Sequence, residues 1–385
     1  MEQELFEPER GPDLPLGYEA QDLQVWEKKG ANYAEYDETF ASKERRSEDA
    51  EWHRNRAKAM LKKYPALIAL RGPRPIVNTL LCLGCAAGHV GVAIAVAHQP
   101  IWVAILAAWL VGWWFVVQMI LQGHECQHQM VYKSKRANSW LFLLTTLPKL
   151  GPTYYDWCFY HHPHHFKFGT DDDVVIKRRD WLLRGRPLSP LFMPYTVLNF
   201  PREVLHFVLK DGPKYFGQLF DSKLPMKQRR AAGWAIVYFF AVVGLAVALF
   251  MFFGISPVIY LLAATCFQTG FLHPMSYGMR LFISHFGPTT NKFQASYIYE
   301  NTWFNTLFNW LTVNWGLHCQ HHDFPNIPWT RLGKVAKIAP DFYQDIVRVK
   351  SYLGLTWLFH FSGAKRGHLS LETLKNAAKG AETAA

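Results

Sequence analysis

The sequence predicts an all-α integral membrane protein, with four transmembrane helices and a cytosolic helical cap that carries a histidine-rich site for two metal ions. Three observations predict it. Four runs of the 385-residue chain are almost uncharged and long enough to cross a hydrocarbon layer of ~30 Å. Lys and Arg crowd the segments outside alternate links between those runs. Nine of the 17 histidines fall in three short windows at helical spacing.

In chain order, residues 1–50 are rich in Glu and Asp, lack apolar periodicity and read as an acidic mobile arm. The opening Met1-Glu2-Gln3-Glu4-Leu5 is not a signal peptide. From Glu51 to Leu70 the pattern is helical and basic, with Met60, Leu61, Leu67 and Leu70 available for one face. Two readings stand for it: a helix lying on the membrane surface, or a helix packed on the cytosolic domain. The spans are expected at about 76–97, 101–122, 231–253 and 255–273, all within a single membrane domain covering 51–375. Asn138 to Leu150 is apolar but too short to span, and suits an interfacial or re-entrant piece. Leu182 to Phe220 mixes Pro, basic and aromatic residues, as a membrane-interface belt does. The part from Arg331 is basic and expected to be helical, and residues 376–385 read as a disordered tail.

Orientation follows from the basic residues. Arg54, Arg56, Lys58, Lys62, Lys63, Arg71 and Arg74 precede the first span, whereas the links at His98 to Pro100 and around Gly254 carry no Lys or Arg. Both long segments, His124 to Arg230 and beyond His285, are basic. The N-terminus, both long segments and the C-terminus are therefore expected in the cytosol, which puts all three histidine windows on one side.

The formal charge of +11 suits flanks that face anionic headgroups. It does not suit nucleic-acid binding, because the basic residues are spread along membrane-proximal segments. The six cysteines form no disulfide framework, and Cys82 and Cys85, a C-x-x-C inside the first span, read as small packing residues.

The histidines carry the chemistry. His318, His321 and His322 are spaced i, i+3, i+4, so a helix brings all three to one side. His161, His164 and His165 repeat that pattern, and His124 and His128 are i, i+4. A lone histidine in such a chain is most often structural, but eight at ligand spacing are not. Imidazole is the commonest metal ligand, and eight exceed what one tetrahedral zinc takes. Two patterns compete. His124-Glu125-Cys126-Gln127-His128 is H-E-x-x-H, the zinc site of a membrane metalloprotease; that reading leaves the other two windows without a role. Glu125/His128 and Glu203/His206 are E-x-x-H pairs of the carboxylate di-iron kind, but the further buried glutamates that class needs are missing from the spans. Two ferrous ions held by neutral imidazoles keep positions open for O2. Together they can supply an oxidant able to take hydrogen from an unactivated C–H bond, such as those of a lipid chain beside the site. Removing two hydrogens gives a double bond and returning oxygen gives an alcohol; the residues alone do not choose between them.

The three boxes resemble those of the membrane fatty-acid desaturase/hydroxylase superfamily. The match narrows to the sphingolipid Δ4-desaturases, also called dihydroceramide desaturases. Asn314-Trp315-Gly316-Leu317-His318-Cys319-Gln320-His321-His322-Asp323-Phe324-Pro325-Asn326-Ile327-Pro328 is very similar to that family's third box and tail. So is Lys62-Lys63-Tyr64-Pro65-Ala66-Leu67-Ile68-Ala69-Leu70-Arg71-Gly72-Pro73, and Leu272-His273-Pro274 with Phe282-Ile283-Ser284-His285 looks like the stretch before box three. The resemblance covers roughly residues 50 to 350. It implies a di-iron site with iron ligands His124, His128, His161, His164, His165, His318, His321 and His322, and His285 as a ninth, in preference to His273. Glu125, His162, Asn314 and Asp323 are expected beside the ligands rather than on the metal. It further implies O2 as co-substrate, a membrane lipid substrate, and location in the endoplasmic reticulum. The chain contains no His-Pro-Gly-Gly heme motif, so electrons are expected from separate cytochrome b5 and its NADH-dependent reductase, meeting basic residues such as Arg331, Lys334 and Lys337. Pro163 inside box two and Ser284 in place of an acidic residue depart from the family and bear on the substrate, leaving C4-hydroxylation or another long-chain acyl lipid as alternatives.

Overall fold

The computed structural model describes residues 48–150, 164–165, 199–224, 226–269, 273, 298–299, 303–344 and 348–349. The acidic arm up to residue 47, the tail at 376–385, and His161, His162 and His285 lie outside the described residues.

The first helix, α1, runs Glu48–Lys63, so its start falls inside the stretch expected to be an arm. A 3-10 segment, Pro65–Leu70, follows, with Pro65 in its first turn, where no amide donor is needed. The apolar residues of this stretch do not face lipid. Met60, Leu61, Leu67 and Leu70 are buried against Trp315, Phe324, Trp329 and Tyr343. The surface-helix reading is thus corrected to the packed one, because these side chains find a dry protein surface. The far end of α1 is pinned by Asp341, which accepts from Lys63 Nζ and Tyr64 Oη, each at 2.7 Å.

Helix α2 (Pro75–Ala95) and helix α3 (Ile101–Gln127) form an apolar hairpin. Their outer faces expose Ile76, Leu80, Ile101, Trp102, Leu106 and Leu110, as lipid-facing helices do. Within α3, Ala108–Gly112 forms a π-helical turn, and a side chain on Gly112 would meet Ala264 Cβ at 2.7 Å. Helix α4 (Lys135–Thr146) is capped by the Ser134 hydroxyl and packs on α3, where Phe142 sits against Gly123. This is the short piece expected from Asn138, and it begins three residues sooner.

Helix α5 (199–220, interrupted by a π turn at Phe207–Asp211) lies along helix α6 (Met226–Phe253), and helix α7 (Ile255–Thr269) returns after Gly254. Gly254 has φ +78°, a conformation a side chain would strain, so the turn can be tight. Among the described residues, three helices are long and apolar enough to cross a membrane: Pro75–Ala95, Ile101–Gln127 and Ala232–Phe253. The expected fourth, α7, is a shorter apolar helix of 15 described residues. It packs on α2, α3 and α6. His89 Nδ1 lies 3.0 Å from Tyr260 Oη and ties α2 to α7, since polar groups at membrane depth must find partners within the protein.

The remaining described helices are α8 (Trp303–Leu311), α9 (His318–Asp323), α10 (Trp329–Leu332) and α11 (Val335–Ile338). The part expected to be helical from Arg331 consists, as far as residue 344, of short helices, and Pro340 opens a 3-10 segment there; beyond that only 348–349 are described. Among the described residues, the all-α expectation has one exception. Ile298–Tyr299 (β1) pairs in parallel with Arg348–Val349 (β2), two residues on each side.

Candidate metal centre

The second apolar helix delivers the first two histidines. His124 lies in the last turn of α3 and His128 caps it, so the i, i+4 spacing survives to the helix end, with ring centroids 4.6 Å apart. The third window is delivered by a bend. Val313 and Asn314 both take left-handed conformations (φ 51° and 65°), turning the chain from α8 into a 3-10 turn and then α9. Asn314 holds the bend by donating from Nδ2 to the Trp329 carbonyl at 2.9 Å. His318 and His322 then meet across one turn, Nε2 to Nε2, at 3.1 Å. His164 and His165 are helical and reach both of the other windows.

Among the described residues, seven histidines form two groups that can each hold a metal ion. One comprises His124, His128, His165 and His321; the other comprises His164, His318 and His322. Within each group the ligand atoms lie within 4.8 Å of one another. All but His165 are buried. Burial pushes the His318, His321 and His322 imidazoles well below their ordinary pKa, and the neighbouring rings push in the same direction. These rings are therefore neutral at physiological pH, and each keeps a lone pair for a metal. Such a donor set suits iron, copper or zinc, and the two adjacent groups suit a pair of ions.

Two tryptophans back the cluster. Trp315 stacks on His318 at 5.2 Å and on Trp329 at 5.0 Å, and Trp329 lies 5.1 Å from His321. Trp329 Nε1–H donates to His124 Nδ1 at 3.1 Å. An indole N–H can only donate, so this contact leaves the neutral ring's proton on Nε2. A metal held by His124 through Nε2 would require that proton on Nδ1, at the expense of the indole bond.

The supporting residues are placed as follows. Glu125 is buried, and its two carboxylate oxygens are taken up by amides. It accepts from Asn78 Nδ2 at 3.1 Å and from the Trp329 backbone N–H at 3.2 Å. An H-E-x-x-H protease needs that carboxylate beside the metal; here it is a strut between α2, α3 and α10. Glu125→Gln is accordingly expected to keep the metal content of the purified protein while lowering its melting temperature, as one of the two acceptors is lost (about 1–3 kcal/mol). Metal loss in that variant would show that Glu125 belongs to the metal site.

Asp323 accepts from His53, Arg56 and Tyr343. Burial pushes its carboxyl up, but the Arg56 guanidinium and His53 outweigh this and hold it below the usual aspartate value. Of the competing histidines, His273 is buried against Trp113, stacked at 4.6 Å. His124 lies eleven helical steps beyond Trp113, about 16 Å along the axis, so His273 packs far from the cluster. His206, of the second E-x-x-H pair, is exposed. Arg331 donates to the Leu70 and Arg71 carbonyls, whereas Lys334 and Lys337 are exposed. Cys82 and Cys85 are buried thiols.

Sequence reasoning did not assign His53, Arg56, Asn78 or Tyr343 to this region. They lie between 20 and 270 residues along the chain from their partners. The His53/Arg56 spacing of i, i+3 on a basic helix was the one available signal of a shared face.

Comparison with known proteins agrees with this geometry. A family model described as fatty acid desaturase matches residues 100–352, more than half of the chain. The sphingolipid delta(4)-desaturase of Schizosaccharomyces pombe is 26% identical over 328 residues, covering 80% of this chain and 81% of the relative. A Homo sapiens sphingolipid delta(4)-desaturase/C4-monooxygenase is 28% identical over 352 residues, covering 86% and 97%. An Oryza sativa subsp. japonica protein named as similar to a sphingolipid delta(4)-desaturase is 26% identical over 313 residues, covering 80% and 85%. A histidine cluster drawn from three windows at the end of an apolar helix hairpin, together with a family match across that same stretch, makes this chain a member of the fatty acid desaturase family, an oxidoreductase that acts on lipid chains.

Proposed function

We propose that this protein is an O2-dependent di-iron desaturase that introduces the Δ4 double bond into the sphingoid base of dihydroceramide. The observation that carries the di-iron reading is the pair of adjacent histidine groups, His124/His128/His165/His321 and His164/His318/His322. The names of the relatives support the substrate. His161 and His285 are proposed to complete the ligand set, with Glu125, His162, Asn314 and Asp323 supporting it.

Bound iron supplies O2 activation and hydrogen abstraction. The balance is one lipid CH2–CH2 unit, one O2, two electrons and two protons giving one CH=CH unit and two waters. The chain's own residues hold neutral imidazoles in a buried pocket, and Trp315 and Trp329 help keep water from its back wall. The electrons are proposed to come from cytochrome b5 and its NADH-dependent reductase, with the exposed Lys334 and Lys337 available to an acidic carrier.

We read α7 as the fourth span: 15 helical residues cover about 22 Å, most of a ~30 Å core. Both termini then lie on the cytosolic side of the endoplasmic reticulum membrane, as the Lys/Arg distribution favours. Residues 51–375 are proposed to act as one membrane domain.

The test is expression in a yeast lacking its own sphingolipid hydroxylase, followed by lipid mass spectrometry. A new sphingoid double bond is the expected product. A new C4 hydroxyl would assign the oxygenase reading, and unchanged lipids would remove dihydroceramide as the substrate.

A further inference from the structure

Helix α9, which carries the third histidine window, has six residues. A helix this short does not hold itself, so its rotation must be set by tertiary contacts. Its last residue, Asp323, is where those contacts converge. His53 Nδ1 lies 2.7 Å from Oδ1, Arg56 Nε donates to Oδ1 and Nη2 to Oδ2, each at 3.2 Å, and Tyr343 Oη donates to Oδ2 at 2.8 Å. His53 and Arg56 come from one face of α1, 270 and 267 residues away in sequence. An ionised carboxylate only accepts, so His53 donates its Nδ1–H. That bond turns the His53 ring toward His322, with centroids 5.4 Å apart and planes at 38°.

His53, Cys319 and Asp323 also lie within 4.8 Å of one another and could be read as a site for a third ion. The Arg56 guanidinium argues against that reading. It grips both oxygens of the same carboxylate, and its charge would repel a cation beside it.

We propose that His53 is a positioning residue: through Asp323 it sets the rotation of α9, and so the metal occupancy of the group formed by His164, His318 and His322. The inference rests on the two-metal reading above. The other group takes His124 and His128 from α3 and His165 from the second window, and only His321 from α9. Among the described histidines, loosening α9 therefore removes two of three from one group and one of four from the other. Groups hydrogen-bonded directly to a ligand typically change metal affinity 10–100-fold, and His53 acts one step further out, through the residue that follows His322.

The test uses full-length protein purified in detergent and loaded with iron-57, comparing wild type with His53→Leu and His53→Gln. Both replacements fill similar volume, but only glutamine retains an N–H that can donate to Asp323. Iron per chain and Mössbauer spectra are the readouts. About two irons are expected in wild type, about one in His53→Leu with loss of one quadrupole doublet, and about two again in His53→Gln. Equal iron in the two variants, whether high or low, would overturn the proposal. More than two metal ions in wild type, falling by one in both variants, would instead make His53 a ligand of a third ion. Fewer than two irons in wild type would fail the two-metal reading itself, before either variant is compared.

Discussion

Replacing His321 with alanine is expected to abolish desaturation, with product formation in membranes falling at least about 100-fold, the upper end of what losing even an outer partner of a ligand costs. His321 is fully buried and central. Its ring lies 4.5 Å from His124, 4.9 Å from His128 and 5.1 Å from His165. Alanine removes the one contribution that the third window makes to that group, leaving three histidines drawn from two other windows. It also opens a cavity under Trp329, so the protein should melt earlier. The decisive readout is therefore iron per chain alongside lipid product. Loss of product with both irons retained would mean that His321 shapes the substrate pocket and does not bind metal. Full activity would remove it from the site.

Asp323→Ala should produce a large stability loss. The Asp323 side chain is fully buried, and the substitution removes the acceptor that Arg56, itself largely buried, shares with His53 and the Tyr343 hydroxyl. Breaking one side of a buried ion pair costs about 3–5 kcal/mol, because the remaining charge loses its partner but not its desolvation. The expected readout is a clearly lower melting temperature in detergent. The pH dependence has a definite sign. The folded Asp323 carboxyl titrates below its ordinary value of 3.8, so the unfolded chain binds the proton more tightly. Its contribution is then complete above about pH 4 and is lost as pH falls through the depressed folded value. The stability difference between wild type and Asp323→Ala should be flat from neutral pH down to about 4 and narrow below that. A gap that widens on acidification would show that the carboxyl is protonated in the folded protein.

The histidine windows were legible in the sequence because ligand spacing is local. His124/His128 and His318/His322 each share a helix face by arithmetic, and the structure places both pairs as that arithmetic requires. The apolar hairpin of α2 and α3 was equally legible, since uncharged runs of that length have few other places to go. How the windows are shared was not legible. Adjacent helical residues point about 100° apart, so His164 and His165 diverge into different groups, as do His321 and His322. Which group each one joins depends on where the other helices stand.

The same limit applies to α1 and Glu125. Met60, Leu61, Leu67 and Leu70 announced an apolar face, but only the presence of Trp315, Phe324 and Trp329 decided that it packs on the third window rather than on lipid. Glu125 sat in a motif that elsewhere marks a zinc protease, and only the amides of Asn78 and Trp329 turned it into a strut. Local periodicity is written in neighbouring residues and can be read from them. The partner of a buried charge is chosen by packing between segments more than 200 residues apart, as for His53 and Arg56 with Asp323, and no spacing rule along the chain encodes it.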